Sequence, residues 1–233
     1  NAMVSRPSIY TVDDRRDEKR RPLDTLEGKT QIMKIENILI YGSAHLTQEA
    51  CLLIKDHYNL VGHVPSNNPV IAGKMDLPVV DEAVEHDIKL SLQYNRRIKD
   101  THNAFNVHTG LLPLWGGTDI LYHTIKGIRE GRIFEQGLTF HKMSEDFDYG
   151  NIISKITYPV DKSDTMVNLY ERMTQCFPSF VLGSLRLLER LEQSQIDNCY
   201  KDRPRIFRRG NVLEDDSEIY SDTLDTLKQM YEY

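Results

Sequence analysis

From residue 37 onward, apolar residues fall into short runs that alternate between two periods. "NILIYG" (37–42) is continuous and ends in glycine, the pattern of a strand buried on both faces of a parallel sheet. "LTQEACLLIKDHY" (46–58) spaces its apolar residues three and four apart, as a helix packed on one side requires. The alternation continues with strands predicted over 60–65, 88–94 and 104–108, and further strands starting at Gly137 and Gly150. Helices are predicted over "VVDEAVEHD" (79–87), over 120–131, and through a long amphipathic region at 163–193. Ser163 or Asp164 is the expected N-cap of the last, and Pro178 is expected to kink or divide it. Strands alternating with helices imply an α/β fold with a mainly parallel central sheet flanked by helices.

Outside this pattern lie two ends of different character. Residues 4–33 are mixed in charge and lack periodicity, which reads as a tail with a helix around Asp13 to Arg20. The opening Asn-Ala-Met reads as an expression scar. At the other end, "RPRIFRRG" and the amphipathic "YSDTLDTLKQMYEY" read as an appendage or partner-contacting segment. The expected division is a tail at 1–35, a catalytic domain at 36–200 and an appendage at 201–233.

Composition narrows the function classes. The chain has 233 residues, 39% of them hydrophobic, enough to bury one ordinary core. A net charge of −6 gives no electrostatic reason to expect a nucleic-acid partner. Three cysteines without paired spacing argue against a disulfide framework. With no membrane-length apolar run, the expectation is a cytoplasmic protein without a membrane partner.

The turn after the first strand, "YGSAH", is where an α/β protein can hold a ligand, making Gly42, Ser43 and His45 candidate contacts. Neither G-x-G-x-x-G nor the P-loop pattern is present there, so nicotinamide and ATP chemistry lose their main support. A more pointed signal is "FNVHTGLLPLWGG". Residues two apart on a strand share a face, so Asn106 and His108 project together at a strand end. Downstream, "GLTFHKMSEDFDYGNII" supplies Thr139, His141 and two aspartates, Asp146 and Asp148. Spacing alone does not choose between those acids, nor exclude capping and surface roles for every one of these groups.

Taken together, these two stretches resemble the folate-dependent formyltransferases: glycinamide ribonucleotide transformylase, methionyl-tRNA formyltransferase and the amino-sugar N-formyltransferases. Asn106, His108 and Leu111-Leu112-Pro113 match the first family motif; Gly137, Thr139 and His141, then Asp148 and Gly150, match the second. The resemblance covers roughly residue 37 to the long helical region and is strong from 105 to 153. It implies a Rossmann-like formyltransferase fold and transfer of a formyl group from 10-formyltetrahydrofolate to a primary amine, without a metal. By analogy Asn106, His108 and Asp148 are catalytic. An amide that does not titrate suits an oxyanion donor, and an imidazole can move a proton near neutral pH. The folate would lie against Leu92, Tyr94, Ile98 and Leu111, near the loop holding Asp146. Trp115 and His141, with Gly42, Ser43 and His45, are placed on the acceptor side. A nucleotide-linked amino sugar is the expected acceptor and a homodimer the expected assembly.

The chain departs from the family where Gly110 replaces the usual serine and Leu114-Trp115-Gly116-Gly117 replaces a basic approach to the glycine. Three alternatives stay open: a formyltetrahydrofolate hydrolase, a zinc hydrolase built on His108, His123, His141 and Asp148, and a non-catalytic binding or assembly module.

Overall fold

A computed structural model describes residues 32–69, 71–132, 135–207 and 225–231. The first expected strand forms as β1 (Asn37–Tyr41), followed by α1 (His45–Ile54), β2 (Asn59–Val64), β3 (Ile88–Leu92) and β4 (Ala104–His108). Then come β5 (Gly116–Gly117), α2 (Ile120–Arg129), β6 (Glu135–Lys142), β7 (Ile152–Pro159), α3 (Met166–Leu188), α4 (Gln193–Asp197) and β8 (Ile206–Phe207). Six of the strands make one sheet in the order β2-β1-β3-β4-β6-β7. The first four are parallel, and β6 and β7 are antiparallel additions. The sheet is thus mainly parallel and Rossmann-like, as the pattern implies.

Alternation along the strands sorts the core into two faces. Ile38, Ile40, Phe105 and Val107 face α1 and α3, joined there by Phe140, Phe177 and Leu185. Leu39 and Tyr41 face the other way, into a smaller cluster with Ile98, Val80 and Val84. Asn106 and His108 alternate with Phe105 and Val107, so they share this second face.

Three expectations are corrected by local chemistry. Residues 79–87 are not helical: Asp81 Oδ1 accepts from Ala83 N at 2.9 Å, closing a turn that competes with a helix. His63 N donates to Pro78 O (2.8 Å) and Val80 N to His63 O (3.1 Å), which ties the start of the stretch, Val79 and Val80, to β2. The N-cap of α3 is Thr165, whose side chain forms a reciprocal capping box with Asn168. Asp164 is occupied instead by a two-pronged pairing with Arg172, at 2.6 and 2.9 Å. Pro178 lies inside α3 without dividing it. Phe177, Phe180, Val181 and Leu185 are buried on either side of it, and their packing outweighs the cost of a helix-interior proline, about 3 kcal/mol for the lost hydrogen bond and ring clash together.

The described parts of the C-terminal segment lie on the domain. β8 pairs with β5 in a two-stranded parallel sheet. Residues 225–231 are helical, Leu227 is buried, and the Tyr231 ring lies 4.5 Å from His45 and 5.2 Å from Tyr170. The expected helix around Asp13 to Arg20 and the rest of the N-terminal tail before residue 32 lie outside the described residues. Among those residues no helix is long and apolar enough to cross a membrane, and the three cysteines are free thiols.

Candidate active site

The register between β4 and β6 brings the two sequence motifs together. Asn106 lies opposite His141 and His108 opposite Thr139, so all four side chains share one face. Thr139 ties the next turn down: its hydroxyl accepts from Leu112 N (3.0 Å) and donates to Gly110 O (2.7 Å). Asp148 enters from the connection between β6 and β7, in a left-handed conformation at φ 51° that an aspartate tolerates better than most residues. Gly150 makes this approach possible, since a Cβ there would sit 1.8 Å from Lys142 O.

These elements set a definite hydrogen-bonding order. His108 Nδ1 lies 3.4 Å from Asp148 Oδ1. Its Nε2 donates to the Trp115 carbonyl at 2.6 Å, and because a carbonyl only accepts, this contact places a proton on Nε2. Asp148 Oδ2 accepts from Gly117 N at 2.6 Å. Asn106 Nδ2 donates to His141 Nε2 at 3.1 Å, while His141 Nδ1 donates to Lys142 O at 3.1 Å. The neutral imidazole of His141 therefore fixes which way the Asn106 amide points. Burial lowers the pKa of His141 to about 4, against a smaller upward pull from the Asp148 charge.

Asn106, His141 and Asp148 line one side of an open cleft. Tyr94, Ile98, Met143 and Asp146 line it too, which brings three of the five expected folate-side residues to the cleft. Leu92 and Leu111 do not line it. Both are buried, and the Leu92 carbonyl accepts from the Thr47 hydroxyl. His108 sits one layer behind the wall, 7% exposed.

Among the acceptor-side residues, only His141 lines the cleft. Gly42 N donates to Val64 O, Ser43 Oγ accepts from Ser66 N, and His45 N donates to Ile71 O, so neighbouring loops cover this turn. The His45 ring is buried against Tyr231 and bonded to the Tyr170 hydroxyl. Trp115 contributes its backbone carbonyl rather than a cleft wall. His123, the remaining member of the zinc reading, packs edge-on against Tyr122 on α2. No group of three or more His, Cys, Asp or Glu able to hold a metal occurs among the described residues.

Sequence reasoning missed Arg96 and Arg97, which line the cleft mouth. Arg97 Nη2 donates to Glu145 O (2.8 Å), joining the cleft's two lips, and Arg96 lies 5.5 Å from the Tyr94 ring centroid. Two adjacent cations just past a strand end were the available signal.

Comparisons with known proteins fit this geometry. The formyl transferase family model matches residues 98–181. Methionyl-tRNA formyltransferase of Wolbachia pipientis subsp. Culex pipiens is 28% identical over 110 residues, which is 46% of this chain and 36% of that protein. The same enzyme of Chlorobium phaeovibrioides is 35% identical over 86 residues, 36% of this chain and 25% of its own length. The matches thus span about a third or less of these relatives. Among solved structures, the N-formyltransferase from Helicobacter canadensis in complex with folinic acid and dTDP-3-aminofucose superposes with TM-score 0.63 at 19% identity, covering 77% of this chain and 73% of that one. Phosphoribosylglycinamide formyltransferase from Bacillus halodurans gives TM-score 0.53 at 17% identity, over 68% and 97%. At such identities these structures speak to the fold alone. The family match spans both motifs and takes in Asn106, His108 and Asp148, so residues 98–181 are similar to the formyl transferase family.

Proposed function

We propose that the protein transfers a formyl group from 10-formyltetrahydrofolate to the primary amine of a small acceptor, an amino sugar linked to a nucleotide. The observation that carries this reading is that Asn106 and Asp148, from distant parts of the chain, line one cleft, with His108 directly behind it, its Nδ1 3.4 Å from Asp148 Oδ1.

The amine nitrogen attacks the formyl carbon, forming a C–N bond while the carbonyl electron pair moves onto oxygen. Asn106 presents an N–H toward that oxygen, its amide held in orientation by His141. His108 and Asp148 handle the proton that the attacking nitrogen loses. Collapse of the tetrahedral species breaks the bond to N10, which takes up that proton, leaving tetrahydrofolate and a formamide. The cleft's mix of Tyr94, Ile98 and Met143 with polar groups fits a flat aromatic donor of the folate type.

Support for the acceptor is indirect. Neighbours in structure include a sugar 3N-formyl transferase solved with dTDP and 5-N-formyl-THF, whereas curated relatives act on methionyl-tRNA. A net charge of −6 weighs against a tRNA partner. The test supplies 10-formyltetrahydrofolate with nucleotide-linked amino sugars, other small amines, or methionyl-tRNA, and follows tetrahydrofolate formation. Sugar-dependent release is the expected outcome. Release with formate and no acceptor dependence would replace the transferase by a hydrolase, and tRNA-dependent release would overturn the acceptor class.

A further inference from the structure

The groups that hold His108 and Asp148 are backbone atoms of one short segment. Trp115 O accepts from His108 Nε2 and Gly117 N donates to Asp148 Oδ2. This segment belongs to neither β4 nor β6, and a turn joined to them only through Thr139 would leave those two atoms free to drift. What fixes it on the far side is β8. Arg205 N donates to Pro113 O (2.9 Å), and Gly116 N donates to Arg205 O (3.0 Å). Gly116 then faces Ile206, and Gly117 faces Phe207. The approach is close: a Cβ on Gly116 would lie 2.9 Å from Pro204 Cβ and 3.0 Å from Ile206 Cδ1. Gly110 leaves room on the other side, since a Cβ there would sit 2.4 Å from Trp115 O and 3.0 Å from His108 Nε2. The departure from serine at this position is thus what admits the Trp115 carbonyl to the imidazole.

We propose that β8, by pairing with residues 113–117, is a positioning element of the site: it clamps the Trp115 carbonyl and the Gly117 amide that set the His108 tautomer and orient Asp148. The proposal deepens the transferase reading and rests on it for the role of His108, although the clamp itself is a statement about geometry. It gives residues of the C-terminal segment a place in the site although they lie some sixty residues after Asp148 and touch no reacting atom. The same logic governs other sites in which groups one layer out orient the reacting ones.

Arg205→Pro removes the N–H that bonds Pro113, while Arg205→Ala keeps it and removes the side chain. In full-length protein labelled with 15N-histidine, the His108 ring signals, identified by their loss in His108→Gln, report which nitrogen carries the proton. The wild type is expected to show a proton on Nε2, Arg205→Ala to match it, and Arg205→Pro to lose that single form. In the formyl-transfer assay the proline variant's kcat is expected to fall by roughly tenfold to a hundredfold, with KM within about threefold. Should Arg205→Pro fail to fold, Gly116→Ala presses on β8 without reaching His108, and the same change in ring signals is expected. A folded proline or alanine variant with wild-type His108 signals overturns the clamp. The transferase reading fails separately, if wild-type protein shows no amine-dependent release while its ring signals behave as described.

Discussion

Asn106 gains its place from the two-residue period of a strand, and its orientation from a histidine that the same period puts on the neighbouring strand. Replacing Asn106 by alanine removes the proposed oxyanion donor and leaves His141 Nε2 without its partner. The expected loss is about a hundredfold in kcat, roughly 3 kcal/mol, and steady-state turnover within a few-fold of wild type would exclude the role. Much of this was legible: alternation put Asn106 and His108 on one face, and the motif pointed to Asp148 over Asp146. The bonds to Trp115 O and Gly117 N were not, because they arise from the path of a turn rather than from any side-chain pattern. The position of the Gly42, Ser43 and His45 turn, away from the cleft and under neighbouring loops, was not legible for a similar reason. Its hydrogen bonds go to residues 64–73, which carry no periodic signal.

Elements with strong periodicity were legible in kind, and their ends were decided by single side chains. The start of α3 depended on which of three adjacent polar residues found a partner. Thr165 reaches Asn168, while Ser163 bonds Asp161 and Asp164 takes Arg172. Thr165→Ala is accordingly expected to cost about 1 kcal/mol in urea unfolding, and Ser163→Ala to stay within about 0.5 kcal/mol. The reverse ranking would contradict the capping assignment. At the β6–β7 connection, Gly150→Ala drives a Cβ against Lys142 O. Overpacking of that kind costs roughly 1–3 kcal/mol and is expected to lower activity as well, by displacing Asp148. The absent helix at 79–87 shows the opposite case, in which an acidic, β-branched stretch with helical spacing was claimed at its start by pairing with β2. β8, two residues long, lies below what any periodicity can register.

Over the whole molecule, the larger core cluster fills one sheet face, and a smaller one shares the other face with the cleft. Two buried histidines on that scaffold make stability depend on pH. Burial lowers the pKa of His141 from 6.5 to about 4, and it lowers that of His45 as well. The unfolded chain takes up protons on these rings at about 6.5, above the folded values. It therefore binds more protons in that interval, and stability falls as pH drops through it. Melting temperature is expected to decline from about pH 6.5 toward pH 4, with a shallower decline in His141→Gln. Parallel curves would mean that the ring is protonated without cost in the folded state.

The central claim is that Asn106, His108 and Asp148 act on one formyl carbon, and it is tested most directly by single-turnover transfer. Enzyme in excess over 10-formyltetrahydrofolate is mixed with a nucleotide-linked amino sugar, and tetrahydrofolate is followed for wild type, His108→Ala and Asp148→Asn. The expected result is amine-dependent release by wild type and a loss of roughly a hundredfold or more in each variant, with donor binding retained. Undiminished release by either folded variant, or none from wild type with any amine, would contradict it.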